Sequence, residues 1–132
     1  MGISEIAPPG MAPPAARYAH ATLSSDTSRT LRTSGVVPIA PDGTVPGDIG
    51  EQARAVWRNL GLLLAEAEMG FVDVASIVTY VVAGPALADD LAAVMAVRDE
   101  VFAGHRAAST LVTVPALARP EWRVEISLVA CR

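Results

Sequence analysis

The chain has 132 residues, 52% of them apolar and only 18% charged, a balance that fits a folded domain with a sizeable core and excludes a disordered one. Its formal net charge is −4 and all ten basic residues are Arg, so the absence of Lys rules out a side-chain Schiff base with a carbonyl substrate. The acidic balance argues against sequence-independent nucleic-acid binding, which needs several cations on one face.

The opening stretch MGISEIAPPGMAPPAARY has no basic segment and no continuous apolar run, so no signal peptide is expected, and Ile6 breaks the myristoylation pattern. Residues 1–16 read as an extended Pro/Ala-rich lead-in to a single domain spanning 1–132. Strands are expected over residues 18–24 and 30–37, joined by the polar turn SSDTS, with Arg17, Arg29 and Arg32 as solvated charges near that hairpin. VPIAPDGTVPGD then reads as a loop turning at Asp42-Gly43.

Asp48, with Glu51 three residues on, resembles a capping box opening a first helix. Ile49, Ala53, Val56, Leu60, Leu63 and Ala67 recur at spacings of three and four as one apolar stripe, and Gly70 is the expected stop. Residues 74–82 are rich in β-branched side chains and predict a strand. Pro85 suits the first turn of a second helix running to about Phe102, with Leu87, Leu91, Val94 and Val101 as its stripe and Asp89, Asp90 and Asp99 facing water. Residues 109–114 and 123–130 predict two more strands. Cys131 is the one cysteine, so no internal disulfide can form and a reduced, cytoplasmic setting is expected; nothing approaches the roughly 20 apolar residues of a membrane span.

The order β-β-α-β-α-β-β predicts a two-layer α+β domain with both helices on one face of the sheet. The strands, however, are apolar on both faces. In the middle one Val74, Val78, Tyr80 and Val82 are expected to point one way and Ala75, Ile77 and Val81 the other. Only two helices are available, so a neighbouring subunit is expected to cover the open face.

Few residues carry obvious chemistry. In the last strand Val124, Ile126 and Leu128 alternate with Arg123, Glu125 and Ser127. Glu125 would then sit at a partly buried seam, where a carboxylate either finds an Arg partner or is suited to proton transfer and to orienting a water. Tyr18 offers a phenol, which is either a packing residue or a hydrogen-bonding group. The Thr33-Ser34-Gly35 turn offers hydroxyls and approachable backbone, and reads equally as an ordinary strand end. His20 and His105 lack metal-ligand spacing, and no phosphate-binding loop, dinucleotide fingerprint or nucleophile elbow occurs, so neither metal nor cofactor is expected.

Taken together, ARYAHA, RTSGVVPIAPDGTVPGDIGEQARAVWRNL, HRAAST and RPEWRVEISLVA resemble the RidA (YjgF) family over nearly the whole chain. The resemblance implies a chorismate-mutase-like α+β domain, a homotrimer with sheets packed into a barrel, and small-molecule pockets at the subunit interfaces. Deaminases of the family hydrolyse imines or enamines to a keto acid and ammonia. They grip the substrate carboxylate with an Arg just before the Ser/Thr of the penultimate strand. Here Ser109 stands at that Arg position and Met95 at a usual Asn on the second helix. Tyr18 matches the family's pocket tyrosine, Ser34-Gly35 its backbone contact, Thr110 its hydroxyl, and Glu125 the carboxylate that orients water. Arg106 and Arg32 are the candidates to replace the missing cation. Two functions are therefore expected as alternatives: a divergent imine or enamine hydrolase, or an inactive trimeric protein that binds a ligand or a partner.

Overall fold

The structure is a computed structural model and describes residues 2–132. Strands β1 (Gly2–Ile6), β2 (Ala21–Ser25) and β3 (Thr30–Arg32) precede helix α1 (Ile49–Glu66); β4 (Val74–Val82), α2 (Leu87–Phe102), β5 (Ala108–Val114) and β6 (Val124–Cys131) follow. The main sheet runs β3-β6-β4-β5, with β4 and β5 parallel and β6 antiparallel to both its neighbours. Both helices cover one face, giving the expected two-layer α+β domain.

The first two predicted strands differ from those observed. They form no hairpin: β2 pairs with β1, from within the expected lead-in, while β3 pairs with β6. Alternation identifies extended segments but says nothing about which partner takes their hydrogen bonds. The predicted start at Tyr18 is replaced by an isolated bridge, in which Ala19 N–H donates to the Ala107 carbonyl at 3.0 Å. The strand predicted over 30–37 stops at Arg32. There the Thr33 N–H still donates to the Leu128 carbonyl at 3.0 Å, but its Oγ1 rather than its carbonyl accepts the Leu128 N–H at 3.0 Å, and the next bridge is at Val36 opposite Ile126. Ser34 and Gly35 are left standing off the ladder.

The loop turns at Asp42-Gly43 as predicted. Asp42 Oδ1 accepts from the Thr44 N–H and hydroxyl at 3.0 and 2.7 Å, and Gly43 takes φ +88°, where a side chain would be strained. Asp48 caps α1 by accepting the Glu51 N–H at 3.1 Å. Glu51 does not reciprocate; its carboxylate lies 3.7 Å from Arg54.

The core of α1 is Ile49, Gln52, Ala53, Val56, Trp57, Leu60 and Leu64. Leu63, placed in the stripe from sequence, is exposed, because the buried face follows 56, 57, 60 and 64 round the helix. The helix ends at Glu66 rather than Gly70, through Glu68 in a left-handed conformation with φ +57°. On α2, Asp90 does not face water: it is buried and takes a 2.7 Å hydrogen bond from Arg123 Nη2. Pro85 lies in the turn before α2.

In β4 the register shifts between Val74 and Ser76, so one extra residue turns Val74 to the core with Ile77 and Val81, against the predicted alternation. Trp57, Phe71 and Phe102 stack edge to face at 5.1–6.1 Å where the two helices meet. The opposite face of the sheet, with Ser76, Val78, Tyr80 and Val82, is half-buried, and neither helix lies on it.

Candidate functional site

The edge strand β5 forms one wall of a cleft of about 380 Å³, and α2 and residues 16–18 supply the others. Its lining brings together Tyr18, Met95, Ser109 and Thr110, four of the residues singled out from sequence, with Ala16, Arg98 and Leu111. Each is there for a local reason. Met95 and Arg98 are three residues apart on α2 and share a face. Ser109 and Thr110 begin β5 in register with Ile77 and Val78 of β4. The Ala19–Ala108 bridge then holds Tyr18 over the start of that strand. Tyr18 keeps its phenol close to its own turn, where Oη accepts the Ala15 N–H at 3.4 Å, and its ring meets His20 edge-on at 6.1 Å.

Glu125 and Gly35 form a second group. Glu125 is half-buried in β6, and a Cβ added to Gly35 would overlap its carboxylate. Gly35 lets the chain approach this carboxylate closely, which the detachment of residues 34–35 from the ladder allows. Ser34 is exposed beside it. Glu125 pairs with Tyr80, which is in register with Val112, three residues beyond Ser109. Strand geometry then separates Glu125 from Ser109 by roughly 14 Å within one chain. Arg123, two residues before it in the chain, turns instead to Asp90.

Neither Arg proposed from sequence as a replacement cation lines the cleft. Arg106 is tied to Glu5 of β1 by two parallel hydrogen bonds, Nε to Oε1 at 2.8 Å and Nη2 to Oε2 at 3.0 Å, which hold its pKa above the usual Arg value. Arg32 lies on the open face of the sheet, in a groove of about 190 Å³ with Thr33, Ser76, Val78 and Ser127. The cation that does line the cleft is Arg98, which sequence reasoning missed. Its spacing of three from Met95 was the available signal. A larger hollow of about 590 Å³ is walled by Ile3, Glu5, Arg17, His105 and Arg106, but its central charges already satisfy each other.

The motif around Gln52 serves construction. Gln52 Nε2 donates to the Pro46 and Glu121 carbonyls at 2.8 Å each, and Oε1 accepts the Arg123 N–H at 2.9 Å, which fixes the start of β6 two residues before Glu125. Asn59 Nδ2 donates to the Val37 and Ile39 carbonyls at 3.4 and 2.9 Å, clamping the loop that follows Gly35. His105 Nε2 lies 2.8 Å from the Val74 carbonyl, which can only accept, so that nitrogen carries the proton. Among the described residues no three His, Cys, Asp or Glu side chains gather as a metal site, and no helix is long and apolar enough to cross a membrane.

The endoribonuclease L-PSP family model matches residues 10–132. Among solved structures, YyfB of Yersinia pestis, a protein of unknown function in the conserved Rid family, shares 32% identity over 100% of both chains with a TM-score of 0.88. The YjgF gene product of Escherichia coli shares 26% over 98% of each chain, with a TM-score of 0.71. Escherichia coli TdcF, solved with bound serine, shares the fold at 21% identity over 98% of each chain, with a TM-score of 0.71. No curated protein matches the chain. The match across residues 10–132 and the likeness to Rid structures have one meaning: the chain belongs to the endoribonuclease L-PSP family, the RidA (YjgF) family.

Proposed function

We propose that the chain is a divergent RidA-family hydrolase that converts a small imine or enamine to a carbonyl compound and ammonia, in a cleft completed by a second copy of itself in a homotrimer. The observation that carries this reading is the gathering of Tyr18, Met95, Ser109 and Thr110 round one cleft. The Glu125 group supports the subunit arrangement. About 14 Å is too far for one small ligand to touch both Glu125 and Ser109 of the same chain. A neighbour whose open face met the β5 edge would bring its own Glu125 to the cleft and cover Val78 and Tyr80.

In the proposed reaction Glu125 orients a water and takes one of its protons as the oxygen bonds to the imine carbon. The C=N electron pair moves to nitrogen, which takes a proton. Transfer of a further proton to nitrogen breaks the C–N bond, the hydroxyl proton is released, and the carbonyl product and ammonia leave. Tyr18, Ser109 and the Gly35 backbone hold the reacting group. No charged cofactor is needed for this addition and elimination.

A second reading, a trimeric ligand-binding protein without turnover, is favoured by the apolar side chains of Met95 and Leu111 in the same cleft. RNA cleavage, named in the family's description, fits poorly with a Lys-free chain of net charge −4. Ammonia release from a panel of carboxylated and neutral imines separates the readings. The hydrolase reading expects release above background that is lost in Glu125→Gln. A ligand-dependent rise in Tm with no release from any member of the panel would overturn it in favour of simple binding.

A further inference from the structure

We propose that the groove round Arg32, on the open face of the main sheet, is a site for a small inorganic oxyanion of the phosphate type, over which a second copy of the chain closes. The closing step rests on the reading of that face as a subunit contact; the site itself does not.

The groove is built by strand register. Arg32 of β3 stands opposite Val129 of β6, and Val129 opposite Ser76 of β4, so the three side chains form one row on the same face. Ser127 and Val78 form the next row. With Thr33, just beyond β3, they enclose a hollow of about 190 Å³. That is below the roughly 300–1,000 Å³ of pockets that bury an organic ligand. At roughly 30 Å³ for each water, it has room for a four-oxygen anion and little more.

The polar lining consists of donors. Among the described residues Arg32 makes no hydrogen bond or ion pair, and neither the Ser76 nor the Ser127 hydroxyl is engaged. Thr33 Oγ1 accepts the Leu128 N–H at 3.0 Å, which leaves its own proton to donate. No lining residue is acidic. Glu125, on the same face, is four residues from Val129 along β6, roughly 13 Å away. The planar Arg fork suits two oxygens of a tetrahedral anion, and the hydroxyls offer donors to the others. The groove is separate from the Ser109 cleft, since β3 and β5 are opposite edges of the sheet, three strand spacings or roughly 14 Å apart.

On a single chain Arg32 is exposed, and water satisfies it. A copy lying over Val78 and Val129 would remove that water, and a charge withdrawn from water without a partner is costly. The anion supplies both the opposite charge and the acceptors, so binding and closure stabilise each other.

The test is calorimetry of phosphate with the unmodified full chain, in chloride buffers of matched ionic strength. Phosphate is expected to bind, Arg32→Gln to weaken it at least about tenfold, and Ser76→Ala combined with Ser127→Ala to weaken it severalfold. Glucose 6-phosphate carries the same anionic group on a body too large for the groove; tighter binding of this ester than of phosphate overturns the inorganic assignment. Sedimentation, at protein concentrations that span dissociation, is expected to show self-association strengthened about tenfold when phosphate stands at ten times its Kd, with no strengthening in Arg32→Gln. No phosphate binding by the unmodified chain, or binding that survives in Arg32→Gln, overturns the site. Phosphate binding through Arg32 by a chain that stays a monomer overturns the subunit reading of the open face and leaves the site. Should Arg32→Gln not fold, side-chain nitrogen NMR of the unmodified chain decides: phosphate is expected to move the Arg32 guanidinium signals ahead of those of the exposed Arg17 and Arg58, and unmoved Arg32 signals refute the assignment.

Discussion

Replacing Gln52 with Ala should reveal how strongly the start of β6 is anchored. Gln52 is 1% exposed, and its amide serves three backbone groups: the Pro46 and Glu121 carbonyls and the Arg123 N–H. Stranding a buried polar group costs about 1–3 kcal/mol, so three would cost roughly 3–9 kcal/mol if water stayed out. Pro46 is half-buried and Glu121 exposed, so water can reach their carbonyls once the side chain is gone. The expected loss is therefore about 2–4 kcal/mol. Gln52→Glu should be worse than Ala, since a carboxylate would face two carbonyl oxygens with nothing to donate. Equilibrium urea unfolding followed by Trp fluorescence, at one fixed protein concentration, measures both. A loss below about 1 kcal/mol for Gln52→Ala would refute the anchoring role.

Gly35→Ala should push the Glu125 carboxylate aside at a small stability cost, about 0.5–1.5 kcal/mol, because the obstructed atoms end a flexible side chain; ammonia release should fall far more than Tm does. Asp90→Ala should cost about 1–2 kcal/mol in urea unfolding, the Arg123 partner being partly exposed and screened. Val78→Asp, on the half-buried open face, should weaken self-association by roughly a hundredfold or more in sedimentation, and an unchanged assembly would refute the covered-face reading. Asp42 should titrate below its ordinary 3.8, chiefly through the Thr44 hydroxyl and then its N–H; its stabilising effect is present above the unfolded pKa and is lost as pH falls through the folded one. Carbon NMR titration of Thr44→Val should return Asp42 towards 3.8.

Periodicity disclosed the spans of α1, α2 and β4 but not always the buried face: on α2 that face runs through Asp90, Val94, Val97, Arg98 and Phe102, and only Val94 of the expected stripe is buried. It misplaced Val74 because one extra residue in β4 inverts the facing of everything before it, and a bulge has no periodic signature. It missed Asp90 as a buried residue because a single charge on a helix looks solvated until its partner, 33 residues away, is known. Family motifs singled out Tyr18, Met95, Ser109 and Thr110, which line one cleft, and Glu125 and Gly35, which lie against each other, where composition alone could not. Arg98 lies on a helix eleven residues before Ser109, and no spacing in the sequence ties the two together. The cleft is assembled across the gap between a helix and a strand edge, where sequence distance is a poor guide.

Strand β6 comes after every other element in chain order yet lies between β3 and β4. A polypeptide leaving the ribosome therefore displays β3 and the β4–α2–β5 unit with no strand to join them. Until Val124–Cys131 emerges, the apolar inner surfaces of both helices have only a partial platform. Such a nascent chain would linger in an adhesive state and depend on chaperones, and shortening it within β6 should yield insoluble material rather than a smaller working domain.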